Sequence, residues 1–139
     1  QLALLRNDPG LVDSAVEECL RYEGPIVLTI RVTREDTRFG DRVIPADRPV
    51  MCLLASANRD PAHFPDPDRF DIRRRDNDHL AFGGGAHFCM GAHLARMEAR
   101  EAIGRLVRRF RKLELESDHA EWGASLFRVL GRLPVRVGG

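Results

Sequence analysis

The chain has 139 residues, 43% hydrophobic and 31% charged, the size and make-up of one ordinary globular domain rather than of a disordered or collagen-like polymer. Its 22 basic and 21 acidic residues leave a net charge of +1, so no field of one sign draws it to nucleic acid or membrane. Aromatics, at 6%, are too few for a base-stacking platform.

Lys112 is the single lysine among the basic residues. The arginine excess suits planar pairing with carboxylates, and the codon bias of a GC-rich genome explains it equally well. Cys19, Cys52 and Cys89 are odd in number and form no Cys-x-x-Cys pair, which predicts a reducing, cytoplasmic setting without a disulfide framework. No apolar run approaches the length of a bilayer span. The opening Gln1-Leu2-Ala3-Leu4-Leu5 has neither Met nor a signal-peptide layout and reads as the end of a helix from a longer protein.

Asp8-Pro9-Gly10 predicts a helix entrance, with Asp8 as N-cap. Val12, Ala15, Val16, Cys19 and Leu20 then repeat at helical spacing, predicting an amphipathic helix over 10–22 that Gly24-Pro25 stops. From Ile26 the period changes to two, and Ile26, Leu28, Ile30 and Val32 mark the buried face of a half-buried strand. Phe39-Gly40-Asp41-Arg42 predicts a small hairpin, and Pro49 to Leu54 a buried strand. Between Asn58 and Leu80, Pro61, Pro65 and Pro67 exclude regular structure, and a long loop inside a domain is usually functional. A second helix is predicted over 92–111, burying Ala95, Ala99, Ile103, Leu106, Val107 and Phe110. The tail holds β-like pieces at 113–115, 125–130 and 133–137.

Chemistry concentrates in the glycine-rich loop that ends at Cys89. Gly83-Gly84-Gly85 lets the backbone approach a flat partner closely. Cys89 stands just before a helix, where backbone N–H groups such as that of Gly91 and the macrodipole favour the anionic sulfur that a metal ligand requires. A phosphate loop is excluded, because no Gly-Lys-Ser/Thr ending or Rossmann spacing is present. Zinc held by His79, His87, Cys89 and His93 remains open on residue type, though it leaves the glycines without a purpose. A buried, inert cysteine is the plain alternative.

The run Phe82-Gly83-x-Gly85-x-His87-x-Cys89-x-Gly91-x-x-Leu94-Ala95-Arg96 resembles the haem-binding signature of the cytochrome P-450 family, bacterial soluble type. Glu18-x-x-Arg21 stands upstream on the first helix, and Pro67-Asp68-Arg69-Phe70 is similar to the family's meander motif. Any one of these is weak; three in the family's order select haem over zinc.

The resemblance implies a mainly α fold with small β-sheets (α+β): helix K, β hairpins, meander, cysteine loop, helix L and a C-terminal β hairpin. Residues 1–139 then form the C-terminal haem-binding portion of a P-450 domain. The family's central helix, with its Ala/Gly-Gly-x-Asp/Glu-Thr motif, has no counterpart in this sequence. Cys89 is the implied axial ligand of haem b, with Phe82, Gly83 and Gly91 around it. His87 and Arg31 are implied partners of the haem propionates. Glu18, Arg21 and Arg69 are implied to form a buried Arg–Glu–Arg cluster. Ile26, Val27, Leu28, Leu126 and Phe127 are the implied substrate contacts, with core packing as the equal alternative. The activity implied is monooxygenation of a small apolar organic substrate with electrons from a ferredoxin-type donor; Arg96 and Arg100 read either as its docking face or, equally, as a solvated helix face. A haem-binding module without turnover is the second reading.

Overall fold

A computed structural model describes residues 1–117, 120–123 and 127–138. Helix α1 (Leu2–Asn7) leads through a short 3₁₀ turn, Pro9–Leu11, into α2 (Val12–Glu23). Asp8 caps this entrance as expected, its side chain accepting a hydrogen bond from the Gly10 N–H at 3.1 Å. Strands β1 (Thr29–Val32), β2 (Thr37–Phe39), β3 (Arg42–Ile44) and β4 (Pro49–Cys52) follow. β2 and β3 form the expected hairpin, with Gly40 at φ 59° in the turn. β1 pairs antiparallel with β4, Arg31 opposite Val50.

The strand expected over Pro49–Leu54 ends at Cys52, and Leu54 instead opens a short helix, α3 (Leu54–Ala57), in which it is buried. Residues 58–84 contain neither helix nor strand, as the prolines require. After a 3₁₀ turn at Gly85–His87 comes α4 (Ala92–Arg109). Strands β5 (Lys112–Leu115), β6 (Glu121–Trp122), β7 (Leu130–Arg132) and β8 (Val135–Gly138) pair antiparallel, β5 with β8 and β6 with β7. This is the mainly helical α+β arrangement with small sheets.

The core lies between α1, α2, α4 and the long loop. Leu5, Ala15 and Ile72 are buried there, with Leu4, Leu11, Val12, Phe70, Ile103 and Val107 packed against them. Two sequence expectations fail. Ile30 and Val32 are 54% and 61% exposed, and Met51 and Leu53 on the facing segment are exposed too. Alternation identifies which side of a strand is apolar, but burial needs a covering layer, and a two-stranded ribbon supplies none. Leu106 of α4 is likewise exposed, while its neighbours Ile103 and Val107 meet the core. The 3.6-residue period carries it round past the α1–α2 contact.

Candidate cofactor-binding site

The site is built on a buried ion pair. Glu18 and Arg21 are three residues apart on α2 and so share one face. The Arg21 Nε donates to Glu18 Oε2 at 2.8 Å and its Nη2 to Oε1 at 2.9 Å; the two residues are 0% and 1% exposed. The remaining Arg21 donors cap carbonyls of the long loop: Asn58 (2.9 Å), Pro67 (2.8 Å) and Arg69 (3.2 Å). Every N–H of the guanidinium is thereby engaged, as a buried charge demands. Glu18 also accepts the Asp71 backbone N–H at 2.8 Å and the Asn77 side chain at 3.2 Å. Burial alone would raise its carboxyl; Arg21, the Asp71 N–H and Arg74 more than offset this and hold it below 4.5.

The third arginine is not the one expected. The Arg69 side chain is 66% exposed and lies 3.6 Å from Asp71 on the surface; only its carbonyl enters the cluster. A turn in which the Arg69 N–H donates to the Asp66 carbonyl, with Asp66 at φ 47°, presents the Arg69 backbone inward. Arg74 takes the place instead, its Nε 3.3 Å from Glu18 Oε2 and its other nitrogens on the carbonyls of Pro65, Asp66 and Arg69. A proline-rich loop lacks backbone donors for many of its own carbonyls, and two guanidinium groups supply them here.

Above this cluster the cysteine loop closes on itself. The Cys89 N–H donates to the Phe82 carbonyl at 3.0 Å, and the Phe88 N–H to that of Gly85 at 3.1 Å. Gly83 and Gly85 hold φ 71° and 64°, the left-handed region in which a side chain is strained. Gly91 caps α4 at an ordinary φ of −83°, and the Ala92 N–H goes to the Cys89 carbonyl. Among the described residues the Cys89 sulfur accepts no hydrogen bond, so the expected N–H cradle is not formed by these atoms.

Beside Cys89 lies a recess of about 240 Å³. Leu20, Pro25, Ile26, Leu54, Ala81 and Phe82 give it apolar walls, and Arg31, His87 and the Cys89 thiol share it. Arg31 donates to the Thr29 hydroxyl and the Ile30 carbonyl and pairs with no carboxylate among the described residues. A soft axial donor, an apolar wall and two nitrogen donors beside it fit one face of a flat macrocycle that bears carboxylates. Ile26 also bridges to Phe127, so two of the substrate candidates meet. Val27 and Leu28 are half-buried and do not line the recess; Leu126 lies outside the described residues. The zinc alternative finds no support, because no group of three or more His, Cys, Asp or Glu is placed to hold a metal among the described residues.

Sequence reasoning missed a second polar group. His79, expected only as a zinc candidate, has a 2% exposed side chain with Nε2 3.1 Å from Glu17 Oε2. The Ala81 N–H donates to its Nδ1 at 3.2 Å, so Nε2 carries the proton and donates to Glu17. Arg96 binds the same carboxylate with both Nε (2.7 Å) and Nη2 (2.8 Å), and its guanidinium stacks 4.6 Å from the Phe82 ring centre. Arg100 pairs with Asp13 at 2.8 Å. Both arginines are thus tied to α2, Arg96 in a half-buried pair and Arg100 in an exposed one. A carboxylate beside the Glu-x-x-Arg motif was the only available signal.

Comparison with known proteins agrees with this geometry. The Cytochrome P450 family profile matches residues 6–123. Cytochrome P450 107B1 of Saccharopolyspora erythraea is 54% identical over 99% of this chain and 35% of its own length. The cytochrome P450 monooxygenase PikC of Streptomyces venezuelae is 50% identical over 98% of this chain and 34% of its own. Among solved structures, P450BioI in complex with an acyl carrier protein ligated to hexadec-9Z-enoic acid superposes with a TM-score of 0.96 at 46% identity, over 99% of this chain and 36% of that one. The chain spans about a third of the length of the curated relatives it matches. Sequence and fold are shared with these proteins along nearly all of its length, and the chain therefore belongs to the cytochrome P450 family.

Proposed function

We propose that this chain supplies the thiolate-side wall of a haem monooxygenase, with Cys89 as the iron's protein ligand. The observation that carries the reading is the recess that joins Cys89, Phe82, His87 and Arg31 on one apolar surface. Haem, when bound, would supply the oxygen-activating redox chemistry, which a thiolate ligand favours. The chain's residues then have separable tasks. Cys89 would hold the iron, Phe82 would keep water from the sulfur side, and Arg31 and His87 would bind the carboxylate side groups. Glu18, Arg21 and Arg74 hold the loop beneath in place.

In the complete cytoplasmic protein, one oxygen atom of O2 enters a small apolar substrate and the other leaves as water, with two electrons from a ferredoxin-type donor and two protons from solvent. Ile26 and Phe127 stand together as the substrate-side contacts of this portion. Among the described residues no helix is long and apolar enough to cross a membrane. Replacing Cys89 with Ser in the complete, haem-loaded protein is expected to abolish the thiolate-type Soret band of the reduced carbonyl complex. An unchanged band would overturn the ligand assignment.

A further inference from the structure

Helix α2 carries two adjacent carboxylates that do different things. Glu18 turns into the buried cluster, whereas Glu17 faces α4 and the segment before the cysteine loop. Two groups converge on Glu17 through three contacts: the Arg96 fork at 2.7 and 2.8 Å and the His79 ring at 3.1 Å. Arg96 lies seven residues after Cys89 on α4, and His79 three residues before Phe82. The carboxylate therefore ties together both ends of the loop that presents the sulfur.

The link continues to the sulfur-bearing residue. The Arg96 guanidinium lies over the Phe82 ring at 4.6 Å, and His79 and Phe88 pack beside the same ring at 6.1 and 6.3 Å. The Phe82 carbonyl in turn receives the Cys89 N–H at 3.0 Å. A planar fork is needed for this: it meets both carboxylate oxygens and still offers a flat face to the ring, which an ammonium cannot do. An exposed redox-docking arginine would show none of these engagements.

We infer that Glu17, His79 and Arg96 are positioning residues that clamp Phe82, and through it hold the Cys89 sulfur in its ligating pose. This rests on the reading of Cys89 as the haem ligand and adds to it the residues that keep the sulfur in place. Arg100 offers an internal control. It also joins α4 to α2, through Asp13 at 2.8 Å, but it has no ring or loop contact. General docking of the two helices would involve both pairs, while the clamp involves Arg96 alone.

The test uses the complete haem-loaded protein carrying this chain, with Arg96→Gln, Arg96→Lys, Glu17→Gln, the Glu17→Gln/Arg96→Gln double change and Arg100→Gln. The readouts are the rate at which the reduced carbonyl complex loses its thiolate-type Soret band and the reduction potential of the iron. Arg96→Gln, Arg96→Lys and Glu17→Gln should each lose the band about tenfold faster than the parent, the usual scale for residues that orient a metal ligand. The double change should be no worse than the poorer single one, because the two share one interaction. Arg100→Gln should match the parent in both readouts. Parental rates in Glu17→Gln, which keeps the size and fold-compatible shape of the side chain, would overturn the inference even if an Arg96 variant failed to fold. Equal losses in the Arg96 and Arg100 variants would overturn it too. A parental band in Cys89→Ser would instead remove the ligand reading on which the clamp depends.

Discussion

At the scale of single residues, the two arginines of the long loop make a sharp contrast. Arg74 reaches the fully buried Glu18 carboxylate with a side chain only 10% exposed, whereas Arg69 pairs with Asp71 in solvent. Truncating one partner of a buried ion pair costs about 3–5 kcal/mol, while an exposed pair contributes about 0–1 kcal/mol. Arg74→Ala should therefore lower the urea midpoint of the complete protein strongly and Arg69→Ala barely. The reverse order would place Arg69 in the cluster. Acid should act on the second polar group in a defined order. Burial lowers the His79 imidazole below 6.5, against the opposing charge and hydrogen bond of Glu17. The unfolded chain thus takes up that proton first, and the stability His79 contributes is complete above 6.5 and declines as pH falls below it. For Glu17 burial acts upward, but Arg96 and His79 outweigh it and hold the carboxyl below 4.5, so its contribution is lost only at more acid pH. His79→Gln should remove the decline that sets in below 6.5, measured as urea midpoint against pH, and leave the one that Glu17 causes at more acid pH.

At the scale of elements, the end of α2 governs how the chain enters the recess. Gly24 closes the helix with φ −59° and ψ 150°, and a Cβ built there would stand 2.5 Å from the Leu20 carbonyl oxygen. That distance is too short for any real contact with backbone, so the helix end or the next residues must move. Pro25 and Ile26 follow directly; the Pro25 carbonyl receives the Arg128 N–H at 2.8 Å and Ile26 bridges Phe127. Gly24→Ala is expected to cost about 1–3 kcal/mol, the range for forcing atoms into filled space. It should also loosen haem binding, because Leu20, Pro25 and Ile26 all line the recess. Urea unfolding together with the haem dissociation rate checks both effects, and parental values would show that α2 can end without a glycine.

At the scale of the whole molecule, too much apolar surface faces water. The accessible area is 10475 Å², whereas a compact monomer of this mass, 15.7 kDa, exposes about 7,300 Å². Phe88, Met90, Leu94 and Met97 lie exposed around the cysteine loop and the start of α4, and Ile30, Val32, Met51 and Leu53 on the β1–β4 ribbon. Surfaces of that kind mark places where other protein or a ligand packs. The 139 residues expressed by themselves should therefore bind a hydrophobic dye and associate, and should not perform coupled substrate oxidation. Light scattering at several concentrations, with substrate oxidation followed against electron consumption, tests this. A monodisperse, cooperatively folding monomer would show that the exposed faces need no cover.

What the sequence determined by itself is what short-range geometry dictates. Three-residue spacing on a helix is enough to bring Glu18 and Arg21 together, and three prolines within seven residues are enough to exclude helix and strand around residues 61–67. The motif run from Phe82 to Arg96, with Glu18-x-x-Arg21 and Pro67-Asp68-Arg69-Phe70 before it in order, indicated the family. The identity of the third arginine was beyond it. In a loop without a period, Arg69 and Arg74 are equally near in the chain, and only the closed turns of the folded backbone decide which guanidinium enters. The same holds for Glu17, His79 and Arg96, which are separated by up to 79 residues and meet only when α2, the loop and α4 are assembled. Burial of the β1–β4 face also escaped the pattern. Alternation records which side of a strand is apolar, but the packing of another layer decides whether that side leaves water.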